Sequence, residues 1–512
     1  MSEANGNAAD YFIARHLREG RGDRVAFTDP WRSLTYAELD AASARFAAGL
    51  KHAGIERERR IALVMLDTVD FPIAFWGALR AGVIPIPINT LLPADITDYI
   101  LQDSRAAALF VSAPLLEPLG AAARGVGRVV VSNPDGRASA FDNFLAPDTV
   151  TSLGPIEECS AGEVAFWLYS SGSTGAPKGV RHVHSSLKAT ADTYAATILK
   201  LTEDDVVFSA AKLFFAYGLG NSMTFPMAAG ASTVLLPDRP TPDAVLEVMR
   251  RHRPTLFAGV PTLYASLLAH PELRRGAGSN RLRICISAGE PLPGHVGQRW
   301  RDRTGCDILD GIGSTEMLHI FLSNRPGDLR YGSTGKPVPG YELRILDDDG
   351  NPVAGGGAGE LVVRGPSAAE GYWNQRDKSR LTFRGEWTHT GDTYTCDPEG
   401  YYRYCGRKDD MLKVGGIWVS PFEVEEALIA HQAVLEAAVV GHPDGDGLIK
   451  PKAFVVLQDG ALGEDRDALR EILQSEVKER IGVWKYPRWI EFVETLAKTA
   501  TGKIQRYKLR EG

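Results

Sequence analysis

Eleven residues in the first half of the chain, Tyr169-Ser-Ser-Gly-Ser-Thr-Gly-Ala-Pro-Lys-Gly179, hold three glycines, four Ser or Thr hydroxyls and one lysine. Glycine permits positive φ and close backbone approach, while amides, hydroxyls and an ammonium are the groups that surround phosphate oxygens. The segment therefore reads as a phosphate cradle. It is not a Walker A loop, because Pro177 precedes Lys178 and Gly179 follows it where that motif needs Gly and Ser or Thr. A kinase-like or GTPase-like reading loses support there. Composition alone also fits a Ser/Gly-rich connector, although a connector directly after a core strand seldom holds both Pro and Lys.

A second cluster lies at residues 481–512, where Lys485, Arg488, Lys498, Lys503, Arg506, Lys508 and Arg510 face only three Glu. On charge alone this is a solvated basic tail or a place where phosphate is met. His182 and His184 form His-x-His beside the phosphate loop, but without a third ligand in view they do not predict a metal site. There is no Gly-x-Ser-x-Gly elbow, and Cys285 has no motif partner that would mark it as a nucleophile. No covalent enzyme intermediate is expected.

Elements must hold these groups in place. From about residue 60 to 310, apolar runs alternate with helical patterns, which predicts an α/β domain with largely parallel sheets. The clearest strands are Ile61–Leu66, Val164–Tyr169, Val206–Ala210, Thr233–Leu236, Leu256–Gly259 and Leu282–Ser287, with helices at 70–81, 242–251, 261–269 and 293–304. Phe71 to Ile88 is apolar, but Arg80, Pro72, Pro85 and Pro87 argue for a helix and a buried strand over a membrane span. From about 328 to 405, Gly-rich turns separate short β-prone runs, predicting an antiparallel, β-barrel-like portion. After Gly406-Arg-Lys-Asp-Asp410 a small α+β domain follows, with a helix near 421–430, strands near 435–441 and 452–457, and a helix near 465–480.

The whole chain, at 512 residues, is too long for one ordinary core and implies at least two domains. Its 57 basic and 64 acidic residues give a net charge of −7, so no overall positive field is offered to a nucleic-acid backbone. Nucleic acid and membrane are not expected partners; small molecules are. The N-terminus has neither a basic start nor an apolar run, and the five scattered cysteines contain no Cys-x-x-Cys pair. A reduced, cytoplasmic protein is expected, as monomer or homodimer.

The glycine-rich loop resembles the phosphate loop of the acyl-adenylate-forming superfamily, which contains acyl-CoA synthetases, adenylation domains and firefly luciferases. Further signatures follow in that superfamily's order: Ser287-Ala-Gly-Glu-Pro291, Gly311-Ile-Gly-Ser-Thr-Glu316, Thr390-Gly-Asp392, Tyr404-Cys-Gly-Arg-Lys-Asp-Asp410 and Thr501-Gly-Lys503. The resemblance covers essentially the whole chain and implies an N-terminal domain over 1–408 and a mobile lid domain over 409–512, hinged at Asp409. It implies ATP, Mg2+ and CoA as cofactor and co-substrates. In-line attack of a carboxylate on the α-phosphate would expel pyrophosphate, with Lys503 bridging carboxylate and α-phosphate oxygens.

Carried over residue by residue, Ser170, Ser171, Gly172, Ser173, Thr174, Gly175 and Lys178 would meet the ATP phosphates, Thr315 the α-phosphate, and Glu316 the magnesium ion. Ala288, Gly289, Glu290 and Pro291 would line the adenine pocket with Asp310, Gly311 and Ile312, and Asp392 and Arg407 would hold the ribose. Gly415 and Gly416 would flank the pantetheine of CoA. Ile312 stands where the superfamily often has an aromatic, and Ala497 where its C-terminal motif usually begins with Pro.

Two segments, Lys212-Leu-Phe-Phe-Ala-Tyr-Gly-Leu-Gly-Asn221 and residues 311–324, resemble the benzoate-CoA ligase branch, and Arg330–Tyr341 adds support. That likeness implies an aryl pocket of Ala216, Tyr217, Gly311, His319 and Ile320, an aromatic wall with small residues suited to a flat ring. The reaction implied is benzoate, ATP and CoA giving benzoyl-CoA, AMP and diphosphate through benzoyl-AMP. A substituted benzoate such as hydroxybenzoate or aminobenzoate, an aryl-loading enzyme for a separate carrier protein, and a nucleotide-binding protein without turnover are the alternatives. A carrier-loading role is disfavoured because no carrier domain follows Gly512, and the third by Lys503, Glu316 and Asp409.

Overall fold

A segment such as Ala108–Ser112, apolar at almost every position, is satisfied only as a strand covered on both faces, and all five of its residues are buried. The computed structural model describes residues 5–133, 135, 137, 139–145, 154–170, 176–273, 279–353, 355–414, 417–445, 448–458, 465–498 and 504–510. Ala108–Ser112 lies in a four-stranded, all-parallel sheet with the order Ile84–Pro87, Arg60–Val64, Ala108–Ser112, Val129–Ser132. Pro85 and Pro87 are tolerated because Ile84–Pro87 is an edge strand. The Ile84 and Ile88 amides donate inward to Arg59 and Leu63 carbonyls, both at 2.9 Å, and the prolines alternate with them. The preceding apolar residues form the buried helix Asp70–Arg80. Among the described residues no helix is long and apolar enough to cross a membrane.

A second sheet has nine strands in the order Lys336–Pro337, Ile320–Ser323, Ile308–Gly313, Ile284–Ser287, Leu256–Gly259, Val206–Ser209, Ser232–Val234, Val25–Thr28, Ser33–Thr35. Its centre is parallel from Ile308–Gly313 to Val25–Thr28, and the flanking pairings are antiparallel. Helices Pro242–His252, Pro261–Ala269 and Gly294–Thr304 lie where the apolar periodicity places them. The strand before the phosphate loop departs from expectation. Val164–Ser170 belongs to neither parallel sheet; it pairs antiparallel with Lys178–Val183, which pairs antiparallel with Gly371–Tyr372. The physical reason is length, since residues 171–177 suffice for a hairpin whereas a parallel crossover needs a dozen or more.

The antiparallel portion is a five-stranded sheet of Glu342–Leu346, Gly359–Arg364, Trp387–Cys396, Phe383–Arg384 and Tyr402–Arg407. Beyond it, helix Pro421–Ile429 and helix Arg466–Ile481 pack on the strands Val434–Pro443, Ile449–Leu457 and Trp489–Phe492 around Val424, Leu428, Val439, Val455, Leu473 and Val477. Ser420 caps the first helix by accepting from the Glu423 amide at 3.1 Å and donates to the Cys405 carbonyl, tying this unit to the strand before it.

Ion pairs hold the C-terminal helix Arg506–Arg510, from Arg510 to Asp410 and from Arg506 to Glu425. Buried Glu425 receives two hydrogen bonds of 2.8 Å from the Arg506 guanidinium and one of 2.7 Å from the Val439 amide. Removing one partner of such a pair leaves an uncompensated buried charge, which costs about 3–5 kcal/mol. Arg506→Ala should therefore lower the stability of the C-terminal unit by about that amount in chemical denaturation. A loss within about 0.5 kcal/mol, the range of ordinary surface substitutions, would contradict this accounting.

Candidate active site

The nine-stranded sheet delivers three consecutive strand ends to one edge: Gly259, Ser287 and Gly313. Ligands of open α/β sheets bind outside such carboxyl ends. Immediately after Ser287, Gly289 takes φ +92°, a conformation that favours glycine, so the chain turns sharply through Ala288-Gly289-Glu290-Pro291. Asp310, in the adjacent strand, is buried; burial holds its carboxyl well above the usual carboxylate range against hydrogen bonds from the Leu292 and Gly311 amides. Its Oδ1 has no partner.

Between strands Ile308–Gly313 and Ile320–Ser323 the chain makes the turn that carries Thr315 and Glu316. It is held from three sides. His182 lies with Nε2 2.8 Å from the Thr315 carbonyl oxygen, the Ala369 amide donates to the Glu316 carbonyl at 2.9 Å, and the Tyr372 hydroxyl donates to Glu316 Oε1 at 2.8 Å. Lys178 Nζ sits 4.3 Å from the centre of the Tyr372 ring. Burial lowers the Lys178 pKa, with Glu316 opposing it. The small antiparallel sheet thus supplies His182, Tyr372 and Lys178 together.

Asp392 and Arg407 lie opposite each other across two strands, 3.0 Å apart, and the guanidinium also donates to the Thr390 carbonyl at 3.1 Å. Gly391 has φ +70°, and a Cβ there would come within 2.9 Å of the Arg407 guanidinium. The pair is partly exposed, with the Asp392 side chain 13% and the Arg407 side chain 43% accessible.

Of the residues expected to line an aryl pocket, Ala216 and Tyr217 open the short helix Ala216–Leu219. The Tyr217 hydroxyl lies 3.1 Å from both the Gly259 and Ile286 carbonyl oxygens, anchoring the ring to two strand ends. His319 lies with Nε2 3.3 Å from the Tyr217 carbonyl oxygen, and its ring is surrounded by Phe225 (4.4 Å), Tyr194 (5.5 Å) and Tyr217 (5.7 Å). A Cβ on Gly311 would stand 3.0 Å from Ile320 Cγ2, so a larger residue there would press on that neighbour. Ser170 closes its strand with a buried, unpartnered hydroxyl. Ser171–Gly175, Gly415, Gly416 and Lys503 lie outside the described residues. Asp409 falls in the 3-10 turn Lys408–Asp410, with its side chain outside them.

The two histidines beside the phosphate loop diverge. His182 stacks on Phe166 at 5.2 Å and serves Thr315, whereas His184 Nδ1 accepts from the Ala8 amide at 3.1 Å. Among the described residues no group of three or more His, Cys, Asp and Glu could hold a metal ion. Sequence reasoning missed Tyr372, Tyr194, Phe225 and Gly220, where a Cβ would overlap the His319 ring. Only Gly220 carried a signal, its place inside the segment that contains Tyr217.

A protein whose strand ends, phosphate-loop lysine and acidic turn converge in this way matches, over residues 14–373, the AMP-binding enzyme family, and over 423–503 the AMP-binding enzyme C-terminal domain. The chain belongs to that family. It is 53% identical to a 4-hydroxybenzoate–CoA/benzoate–CoA ligase of Rhodopseudomonas palustris, over 99% of this chain and 94% of that one. It is 54% identical to a benzoate–CoA ligase of Thauera aromatica, over 98% and 95%. Among solved structures, a benzoate CoA ligase from Burkholderia xenovorans superposes with a TM-score of 0.91 at 50% identity, covering 99% of this chain and all of that one.

Burial drives the His16, His182 and His184 pKa values from 6.5 to about 4 and that of His319 to about 3. In the unfolded chain these imidazoles bind protons near pH 6.5; in the fold they do so only near 3 to 4. These four imidazoles therefore bind more protons in the unfolded state in this window, and their contribution to stability is lost as pH falls through it, opposed by Asp67 and Asp310, whose carboxyls burial raises. Relative to wild type, His182→Gln should lessen the fall in thermal unfolding midpoint, or steepen its rise, between pH 6.5 and 4. An unchanged slope would show that His182 does not stay neutral in the fold.

Proposed function

We propose that the protein is an ATP-dependent aryl-CoA ligase acting on benzoate: benzoate and ATP give benzoyl-AMP and diphosphate, and CoA then gives benzoyl-CoA and AMP. The observation that carries this reading is the wall made by half-buried Tyr217 and buried His319, the latter separated by only two residues from the Thr315–Glu316 turn. A flat ring against that wall directs its carboxylate toward the turn. The likeness to benzoate–CoA ligases over nearly the whole chain supports the same substrate.

The carboxylate oxygen attacks the α-phosphorus and the bond to the β-phosphate oxygen breaks, so charge accumulates around that phosphorus. Lys503, in the basic tail, bridges carboxylate and α-phosphate oxygens, and Thr315 contacts the α-phosphate. Ser170 to Gly175 and Lys178 hold the remaining phosphates. Asp392 and Arg407 take the ribose, and Ala288 to Pro291 with Asp310, Gly311 and Ile312 take the adenine. Glu316 fits a magnesium ion brought with ATP: Tyr372 engages only Oε1, and one hard oxygen beside phosphate oxygens and water is how this ion is usually held. Magnesium supplies charge neutralisation there. In the second step the CoA sulfur attacks the acyl carbon and AMP leaves. The lid over 409–512, turning at Asp409, removes Lys503 and lets pantetheine pass beside Gly415 and Gly416.

Steady-state AMP release should require benzoate, ATP, Mg2+ and CoA together, and kcat/KM for octanoate should fall at least about 100-fold below that for benzoate. Hydroxybenzoates and aminobenzoates belong in the same panel. Adenylate and diphosphate formation with AMP release that CoA does not accelerate would point to a carrier-loading enzyme, and no diphosphate or AMP under any condition would end the enzymatic reading. A higher kcat/KM for a substituted benzoate would transfer the proposal to that acid.

A further inference from the structure

Tyr372 takes no part in the chemistry above, yet it touches two residues that do. Its hydroxyl donates to Glu316 Oε1 at 2.8 Å, and the face of its ring receives Lys178 Nζ at 4.3 Å. We propose that Tyr372 is a positioning residue that holds Glu316 and Lys178 in place for magnesium-bound ATP, an inference that rests on Glu316 being the magnesium ligand.

The side chain has little freedom to do anything else. Tyr372 is 5% exposed, its ring packs on Phe383 at 5.4 Å, and its hydroxyl lies 3.3 Å from Thr382 Oγ1. Its backbone pairs with Val180, two residues beyond Lys178, and its amide donates to Ser379 Oγ at 2.9 Å. Lys178 and Glu316 form no direct ion pair, and Tyr372 engages both instead. A direct pair would have to be broken before the ammonium could face phosphate and the carboxylate a metal. With Tyr372 between their roles, Lys178 keeps its charge for phosphate and Glu316 keeps Oε2 for the ion.

The test is calorimetric titration of ATP into the full-length protein across free Mg2+ concentrations, for wild type, Tyr372→Phe and Glu316→Gln. Phenylalanine keeps the ring under Lys178 and removes only the donor. Tyr372→Phe should raise the Mg2+ concentration giving half-maximal ATP affinity about tenfold, the size expected for losing a hydrogen bond to a charged acceptor. Thermal stability and thioester formation from supplied benzoyl-AMP should stay close to wild type. If Glu316→Gln shifts the Mg2+ dependence and Tyr372→Phe does not, the positioning role is wrong while the metal ligand stands. If neither shifts it, the metal assignment itself fails. Equal loss of both half-reactions in Tyr372→Phe, or unfolding, would reduce Tyr372 to a structural residue and overturn the proposal.

Discussion

Everything at the strand-end edge depends on one two-residue turn being held still. Thr315 and Glu316 lie between strands whose own ladder ends at Gly313 and resumes at Ile320, so the sheet itself does not fix them. The constraint comes from outside, through His182 on one carbonyl, Ala369 on the next and Tyr372 on the carboxylate. Two of these three belong to the small antiparallel sheet that also ends in Lys178. A reaction between a carboxylate and a phosphorus centre gains most from fixed geometry and fixed charge, and this is where the fold spends its buried polar contacts.

The aromatic side of the site follows a different logic. Tyr217 is tied by its hydroxyl to the ends of two parallel strands, and His319 is fixed by three surrounding rings and a backbone carbonyl. Burial keeps that imidazole neutral, so it offers an acid no charge to pair with. Gly220 and Gly311 matter by what they lack, since a Cβ on either presses on His319 or Ile320. The wall is rigid, and charge for the carboxylate has to come from elsewhere in the chain.

The sequence made the parallel strands legible because strands covered on both faces are apolar at successive residues, as in Leu256–Gly259 and Ile284–Ser287. The phosphate loop and the Thr315–Glu316 turn were legible because unusual backbone and charge concentrate in short segments. The antiparallel pairing of Val164–Ser170 was not, since strand direction depends on the length of the connection rather than on strand composition. Tyr372 and Tyr194 were invisible for a related reason: each acts through a contact with residues more than fifty positions away. His182 was visible as a histidine beside the loop, but its partner is a backbone carbonyl, which leaves no mark in sequence.

The proposed reaction joins an aryl carboxylate to the α-phosphate at this edge before any thiol is involved. A rapid-quench single turnover with excess enzyme, benzoate, Mg2+ and α-labelled ATP, without CoA, measures that step directly. Benzoyl-AMP should form in near-stoichiometric amount and be converted to benzoyl-CoA and AMP when CoA is added. Formation of ADP, or of thioester with no adenylate that precedes it, would contradict it.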